Sequence, residues 1–289
     1  MNTQTGRLTR DGIRIYEPAD FVGMAVAGKL AAQILDDIAA HVFAGQATAE
    51  IDRLITQMVN DAGAISATIG YKGYQHASCI SVNHVVCHGI PGSPIPKSKT
   101  ETISKDLEKR RDTDVLEDGD IVNIDVTVIV DGWFGDTSRM YVAGNVSRPA
   151  EKLIQITHDA LMKGIAAAKP GNTFGDIGHA IQTYAESNRM SVVRDFCGHG
   201  LGRVFHAPPN VVHYGRPGTG PVLEEGMFFT IEPMINFGRA ATEVLADDWT
   251  AVTRDKSLSA QFEHSIGITA DGCEIFTLSP SGKFHPTWG

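Results

Sequence analysis

The stretch DIVNIDVTVIVDGWFGDTSRMYV (residues 120–142) decides most of what this sequence predicts. Apolar and polar residues alternate on both sides of its central Asp-Gly pair, a pattern that predicts a β-hairpin with a two-residue type I′ turn. With that turn, Thr127 faces Asp136 across the two strands. Asp125 shares the face of Thr127, because side chains alternate along a strand. The sequence therefore predicts two aspartates that point toward one spot.

Two carboxylates so placed are diagonal neighbours in the predicted ladder, roughly 7–8 Å apart at the backbone and closer at their side chains. They repel each other unless a positive charge lies between them. A pair of divalent metal ions meets that need, with one aspartate able to bridge. The alternative is two solvated aspartates on an exposed sheet face. Flanking apolar residues favour burial and hence the metal site.

The segment FCGHGLGRVFH (196–206) places His199 among three glycines. Glycines allow tight backbone paths and leave a neighbouring side chain open to a ligand. Imidazole is a common ligand of first-row metals, so this segment indicates a third ligand. An ordinary loop histidine is the alternative.

The segments EEGMFFTIEP (224–233) and SAQFEHSIGIT (259–269) each place a glutamate in a strand-like run. Glu232 comes late in the first segment, and Glu263 lies within the second. A carboxylate in an apolar run is costly unless it is paired or bound to a metal. For each glutamate taken alone, a surface position on an edge strand is the alternative.

Together these segments supply an oxygen-rich ligand set with a single nitrogen donor: Asp125, Asp136, His199, Glu232 and Glu263. Such a set suits two hard or borderline ions better than a structural zinc, and cobalt, manganese, iron, zinc and nickel are the candidates. Two adjacent metals can activate a water molecule and polarise a peptide carbonyl for hydrolysis. The sequence contains no P-loop, GxSxG or CxxC pattern that would favour another chemistry.

The rest of the chain predicts the same succession of elements twice. Apolar spacing and capping residues predict helices at 21–44, 49–62 (capped by Thr48), 149–168 and 174–189 (capped by Thr173), with strands within 64–90 and at 191–196. Shifting the first set by 126 positions puts Gly45 on Gly171, Ile51 on Ile177 and Ile55 on Ile181. Chance similarity between two ordinary helix pairs is the alternative.

From this succession we predict a single α+β catalytic domain over 1–289. It has two pseudo-symmetric halves, 12–142 and 149–279, each a helix pair with an antiparallel sheet, around one dinuclear metal site. The stretch 93–119 interrupts the pattern with charges of both signs and two prolines. It predicts a solvated excursion with a short helix around Leu107, either as plain surface or with a role in substrate access.

Composition limits the classes to which the chain can belong. With 289 residues, 42% hydrophobic and 20% charged, it is typical of a globular protein. A net charge of -9 argues against nonspecific binding to DNA. Neither a signal peptide nor a membrane-spanning run is visible, and four scattered cysteines predict reduced thiols. We therefore predict a cytoplasmic protein without a DNA or membrane partner.

These segments resemble those of the type I methionine aminopeptidases, which have the fold known as pita-bread. The resemblance runs from about residue 12 to 279 and rests on YKGYQHASCISVNHVVCHGIPG, IVNIDVTVIVDGWFGDTSRMYV, CGHGLGRVFHAPPNVVHY, EEGMFFTIEPM and SLSAQFEH. It implies removal of the initiator methionine from nascent polypeptides, with preference for a small second residue. It also implies the same ligand set, with Asp136 and Glu263 bridging two metals, and a monomer that works at or near the ribosome.

The resemblance further implies roles that spacing alone does not. His88 would lie near the substrate amine and amide, His206 would contact the scissile carbonyl, and Glu232 would also shuttle a proton to the leaving amine. A pocket for the methionine side chain would comprise Tyr71, Tyr74, Cys79, Phe205 and Trp249, together with the two histidines. A monovalent cation, held in some members mainly by backbone oxygens, would lie at Asn83, Val85 and Ser259.

This sequence departs from the family pattern in three places. Thr68 stands where bacterial members often have a pocket cysteine, the stretch 93–119 is longer than the compact bacterial connection, and a long zinc-binding N-terminal extension is missing. The alternatives are a proline-specific peptidase of the same fold, such as aminopeptidase P or prolidase, and a non-catalytic binding module. Proline-specific relatives usually carry an extra N-terminal domain, and binding modules have typically lost metal ligands.

Overall fold

The computed structural model describes residues 6–94 and 113–283. Its helices are α1 (Asp20–Ile38), α2 (Thr48–Asp61), α3 (Arg148–Ala167) and α4 (Phe174–Ser187), with short 3-10 helices at Ala39–His41 and Tyr71–Gly73. Residues 95–112 of the charged stretch, including the helix predicted around Leu107, lie outside the described residues. The end of the stretch is not the predicted solvated excursion, because Leu116 is 0% exposed in the first core and Val115 pairs with Ala47. Within the described ranges no helix is both long and apolar enough to cross a lipid bilayer.

The strands form several small antiparallel sheets around the long central hairpin. They are β1 (Arg7–Leu8), β2 (Arg14–Ile15), β3 (Ile65–Ser66), β4 (Ser78–Val82), β5 (Val85–Cys87), β6 (Asp120–Val130), β7 (Trp133–Ala143), β8 (Ser191–Val192), β9 (Gly198–Gly200), β10 (Ala207–Val211), β11 (Phe228–Ile231), β12 (Met234–Asn236), β13 (Thr242–Val244), β14 (Ala251–Thr253), β15 (Ser259–Gln261), β16 (His264–Ile268) and β17 (Cys273–Ile275). The largest sheet has the order β10-β9-β11-β16-β17, while β6 pairs with β3, β4 and β7.

The predicted hairpin is confirmed in its turn and in its register. Strands β6 and β7 pair along their whole length, with Val130 opposite Trp133 and Thr127 opposite Asp136. The turn residues Asp131 and Gly132 have φ values of 49° and 79°, as a type I′ turn requires. The alternation of side chains therefore places Asp125 and Asp136 on the same face of the hairpin.

Each helix pair covers one face of its own sheet and buries a separate apolar core there. In the first half, α1 and α2 pack on β4 and β6 through buried residues that include Leu35, Ile55 and Val122. In the second half, α3 and α4 pack in the same way on β11, β12 and β16. Because strand side chains alternate, the opposite face of each sheet is free for polar residues, and the two polar faces meet at the centre.

The internal repeat is visible in backbone hydrogen bonds as well as in the order of elements. Gly45 N–H donates to the Leu116 carbonyl at 2.7 Å, and Gly171 N–H donates to the Leu223 carbonyl at 3.1 Å. Each leucine N–H donates back to the residue after the glycine, at 2.8 Å and 2.7 Å. Both glycines have positive φ, 98° and 86°. The 126-residue offset read from the sequence thus relates equivalent turns, which chance similarity does not explain.

Two local predictions differ from the structure. Thr48 was expected to cap α2, but the helix begins at Thr48 and receives no cap from its side chain. Instead the carboxylate of Asp114 accepts a hydrogen bond from Ala49 N–H at 2.9 Å, so the cap comes from a distant segment. The strand predicted at 191–196 covers Ser191–Val192 only, because just this part pairs with β12.

The two halves are joined directly at the candidate ligands. Glu263 N–H donates to the Ser138 carbonyl at 3.1 Å, and the Thr137 hydroxyl donates to the Glu263 carbonyl at 2.7 Å. The Ser265 hydroxyl donates to the Asp136 carbonyl at 2.6 Å. These bonds fix the backbone of Asp136, from the first half, beside that of Glu263, from the second.

Candidate metal centre

Three of the predicted ligands form a compact buried cluster. One side-chain donor atom each from Asp136, His199 and Glu263 lies within 4.8 Å of the other two. The three residues are only 4%, 9% and 2% exposed. Such spacing lets one ion contact all three donors, and the structure therefore places a candidate metal site where the two halves meet.

The ring of His199 is oriented by its own neighbours. Its Nδ1 lies 3.1 Å from the Gly200 carbonyl, a contact in which Nδ1 is the donor. Its Nε2 is then left as an acceptor, 3.4 Å from Asp136 Oδ2 and 3.7 Å from Glu232 Oε1. Burial lowers the pKa of His199, but these two carboxylates outweigh burial and raise the pKa overall. Fixing Nδ1 as the donor leaves Nε2 free for a cation.

The carboxylate of Glu232 is held at both oxygens. The Thr230 hydroxyl donates to Oε1 at 2.8 Å, and Gln261 Nε2 donates to Oε2 at 3.3 Å. Burial, reinforced by the charge of Asp136, raises the pKa of Glu232 to about 7, against the opposing effect of His199. This carboxyl can therefore gain and lose a proton near neutral pH.

The remaining carboxylates increase the negative charge at this point. Asp125 lies opposite Cys79 in one ladder and opposite Ser138 in the other. Burial and the neighbouring carboxylates raise the pKa of Asp125 and that of Glu263 well above their ordinary values. Four acidic side chains around one imidazole are unfavourable without cations. The donor set therefore fits divalent metal ions.

A cavity of about 800 Å³ opens from this cluster. Every residue predicted for the metal ligands and the methionine pocket lines it: Tyr71, Tyr74, Cys79, His88, Asp125, Asp136, His199, Phe205, His206, Glu232, Trp249 and Glu263. Thr68, the departure from the family pattern, lines it too. The structure thus brings together residues spread over most of the chain, while their individual roles stay predictions.

Aromatic rings form the walls of the cavity. The ring centroids of Tyr74 and Trp249 are 4.9 Å apart, and so are those of Tyr71 and Phe205. The Tyr74 hydroxyl donates to the Ser78 carbonyl at 2.9 Å, which holds one wall in place. Aromatic and thiol surfaces of this kind suit an unbranched, polarisable side chain.

Two further histidines line the cavity, and one of them, His206, lies beside the acidic cluster. The ring of His206 is stacked on Tyr71 with centroids 5.1 Å apart, and it lies 4.1 Å from the ring of His199. Burial and the charge on His199 lower the pKa of His206 to about 4, and burial and the charge of Lys72 lower the pKa of His88. Both rings are therefore neutral at pH 7, each with one N–H available to donate.

The residues predicted for a monovalent cation lie together, outside the residues that line the cavity. Ser259 N–H donates to the Asn83 carbonyl at 2.9 Å, and Val85 lies on the adjacent strand β5. Asn83 adopts a left-handed conformation with φ 57°. Its side-chain amide donates to Asp120 at 2.7 Å.

Some residues that support the site were not singled out from the sequence. His213 is fully buried, and its Nε2 accepts a hydrogen bond from Glu232 N–H at 3.0 Å. Burial lowers the pKa of His213 to about 3. Thr230 and Gln261 lie in the same two segments as Glu232 and Glu263, but the sequence does not mark them as partners of a carboxylate. The sole sequence signal for His213 was its place in the HAPPNVVHY segment, which does not reveal its partner.

Comparison with known proteins agrees with this arrangement. Residues 22–270 match the model of metallopeptidase family M24. The methionine aminopeptidase of Rickettsia prowazekii (strain Madrid E) is 52% identical over 277 residues, which is 96% of this chain and 99% of that protein. A crystal structure of methionine aminopeptidase from Rickettsia prowazekii superposes with a TM-score of 0.84 at 53% identity, over 92% of this chain and 100% of that one.

A more distant relative shares the fold alone. The prolidase from Pyrococcus furiosus superposes with a TM-score of 0.65 at 19% identity, over 91% of this chain and 65% of that one. The pita-bread fold predicted from the sequence is thus confirmed, and the high identities separate this chain from the proline-specific branch. The chain belongs to metallopeptidase family M24 and, within it, to the methionine aminopeptidases.

Proposed function

We propose that this chain is an aminopeptidase that removes the N-terminal methionine of nascent polypeptides with the help of two divalent metal ions. The observation that carries the proposal is the cluster of Asp136, His199 and Glu263 at the cavity, with Asp125 and Glu232 beside it. The similarity to the Rickettsia prowazekii methionine aminopeptidase extends over almost the whole of both chains, which supports a shared activity.

The five acidic and imidazole side chains would hold the two ions, with Asp136 and Glu263 between them. Both residues are nearly inaccessible, and their backbones are joined across the two halves, which supports the proposal that both would contact the two ions. When bound, such ions lower the pKa of a water molecule and polarise the carbonyl of the peptide to be cleaved. Cobalt, manganese, iron, zinc and nickel stay the candidate metals.

The protein's own groups orient the substrate and move the proton. His88 and His206, both neutral at pH 7, donate hydrogen bonds to the substrate amide and to the oxygen of the scissile carbonyl. Glu232, whose pKa is raised to about 7, takes a proton from the attacking water and passes it to the leaving amine. The methionine side chain occupies the space between Tyr71, Tyr74, Cys79, Phe205 and Trp249.

Hydrolysis of defined peptides tests this proposal. We expect metal-stripped protein to cleave Met-Ala-Ser once manganese, iron or cobalt is added back, and to leave an Ala-Pro-led peptide intact. The metal-stripped protein and a Met-led peptide with a bulky second residue serve as controls. Cleavage of only the proline peptide would indicate a prolidase-like enzyme, and no cleavage of either would indicate a binding module.

Replacing His206 with alanine is expected to lower kcat about a hundredfold while metal content stays the same. His206 lines the cavity and packs against the ring of His199, so its loss affects the substrate. It is not part of the compact donor cluster, so its loss should leave the metal in place. Steady-state kinetics with Met-Ala-Ser and metal analysis by mass spectrometry measure the two quantities. The variant His179→Ala, on the exposed face of α4, is the control. Loss of metal from His206→Ala would contradict the assignment.

Other aspects of the function stay predictions. The preference for a small second residue, action at or near the ribosome, a monomeric state and a cytoplasmic location follow from the resemblance to the family or from composition. The same holds for a monovalent cation at Asn83, Val85 and Ser259. The close approach of Ser259 to the Asn83 carbonyl supports this last prediction.

A further inference from the structure

His213 is a buried histidine to which neither the metal cluster nor the cavity gives a role. It follows β10 by two residues, is 0% exposed and is absent from the cavity lining. Its Nε2 accepts a hydrogen bond from Glu232 N–H at 3.0 Å. Its Nδ1 has no hydrogen-bond partner within the described part of the chain. Among residues 6–94 and 113–283, the contact to Glu232 is therefore the one hydrogen bond that this ring makes.

The backbone N–H of Glu232 needs a hydrogen-bond acceptor from outside the sheets, because the chain passes from one sheet to another at this residue. Strand β11 ends at Ile231 and pairs with β16, while β12 begins at Met234 and pairs with β15 and β8. Between the strands, Pro233 has no N–H, and Glu232 N–H lies beyond the ladder. A buried backbone N–H without an acceptor is costly, and His213 provides that acceptor.

This contact defines the chemical state of the ring. Because Nε2 accepts a hydrogen bond from the Glu232 N–H, the ring proton lies on Nδ1 and the imidazole is neutral. An imidazolium would direct an N–H against the Glu232 N–H. The site therefore requires a side chain with an acceptor at the position of Nε2, rather than a charge or a volume alone.

The segment that carries His213 has little freedom to move. Helix α4 approaches so closely that a Cβ on Gly178 would lie 2.4 Å from the Tyr214 carbonyl oxygen and 2.8 Å from that of Val212. Gly215 N–H also donates to Gln182 Oε1 at 3.1 Å. The imidazole is therefore attached to a rigid support and can define the position of the backbone that it contacts.

We propose that His213 is a positioning residue that fixes the backbone of Glu232 and thereby the direction of its carboxylate. Thr230 and Gln261 hold the two carboxylate oxygens, at 2.8 Å and 3.3 Å, and His213 supplies the third fixed point. Without it the residue can rotate at the junction of the two sheets. A misdirected Glu232 would weaken metal binding and slow proton transfer, an effect that rests on the proposed function.

Two substitutions of equal length separate this role from simple packing. Glutamine can place its amide oxygen where Nε2 lies, whereas methionine matches glutamine in shape and offers only a weak acceptor. We expect kcat of His213→Gln to stay within about threefold of wild type for Met-Ala-Ser with Mn²⁺. We expect kcat of His213→Met to fall at least tenfold, as is typical when a residue that orients a metal ligand is lost. We expect little change in KM, because His213 is not among the residues that line the cavity.

Calorimetric titration with Mn²⁺ gives a second readout that does not depend on turnover. We expect His213→Met to bind Mn²⁺ about tenfold or more weakly than His213→Gln, although both retain the fold in circular dichroism. Equal Mn²⁺ affinity and equal kcat in the two variants would overturn the proposal, whether both resemble wild type or both are impaired. Failure of wild type to cleave Met-Ala-Ser would instead count against the proposed function, and the Mn²⁺ affinities would still decide the role of His213.

Discussion

Replacing Glu263 with glutamine is expected to abolish binding of the metal pair and to reduce turnover of Met-Ala-Ser roughly a thousandfold. Glutamine keeps the size of the side chain but removes one charge from the cluster and offers a poor bridging donor. Glu263 is 2% exposed, and one of its donor atoms lies within 4.8 Å of donors from Asp136 and His199. Because Glu263 supplies one of the three donors of this compact cluster, the loss should be nearly complete.

Stability of the metal-free protein distinguishes this effect from misfolding. Without metal the carboxylates of Asp125, Asp136, Glu232 and Glu263 repel one another, and the amide relieves part of that repulsion. Metal-free Glu263→Gln should therefore melt no lower than metal-free wild type, although it binds no metal. Glu274→Gln, at an exposed position of β17, is the matched control and should behave as wild type. Substantial turnover or full metal content in Glu263→Gln would refute the ligand assignment.

Replacing Gly135 with alanine is expected to destabilise the fold by about 3 kcal/mol or more. Gly135 is the residue before Asp136, at the place where α1 crosses β7. A Cβ there would lie 2.3 Å from both the carbonyl carbon and the oxygen of Ala27 and 2.6 Å from Gly28 N. All three atoms belong to the helix backbone, which has no rotamer to change. The helix and the hairpin would have to move apart.

Urea unfolding of the metal-free protein measures this loss without interference from ligand binding. Gly272→Ala is the matched control, because a Cβ there would meet nothing within 4 Å and its φ is not positive. It should change the free energy of unfolding by less than about 0.5 kcal/mol. If Gly135→Ala were as stable as Gly272→Ala, the close packing of α1 on β7 would be incorrect. A shifted hairpin should also weaken metal binding, since Asp136 follows directly.

The features that the sequence predicted well are those set by neighbouring residues. The Asp-Gly turn defines the register of β6 and β7, and that register places Asp125 and Asp136 on one face whatever the rest of the chain does. Repeated Gly turns after α1 and α3 likewise revealed the two halves. The pocket residues and the two cavity histidines came from resemblance, because aromatic and histidine side chains have no periodicity that marks a binding site.

The sequence by itself therefore determined the hairpin, the helix pairs and the acidic residues that face inward. Only the tertiary structure decided which sheet faces meet at the centre. The backbone hydrogen bond from Glu263 to Ser138, for example, joins residues from opposite halves. The same holds for Asp114, which caps α2 from a distant segment, and for His213, which accepts a hydrogen bond from Glu232. Alternation along a strand specifies which face a side chain occupies, but its partner depends on how separate sheets and helices pack, and such long-range contacts have no local pattern.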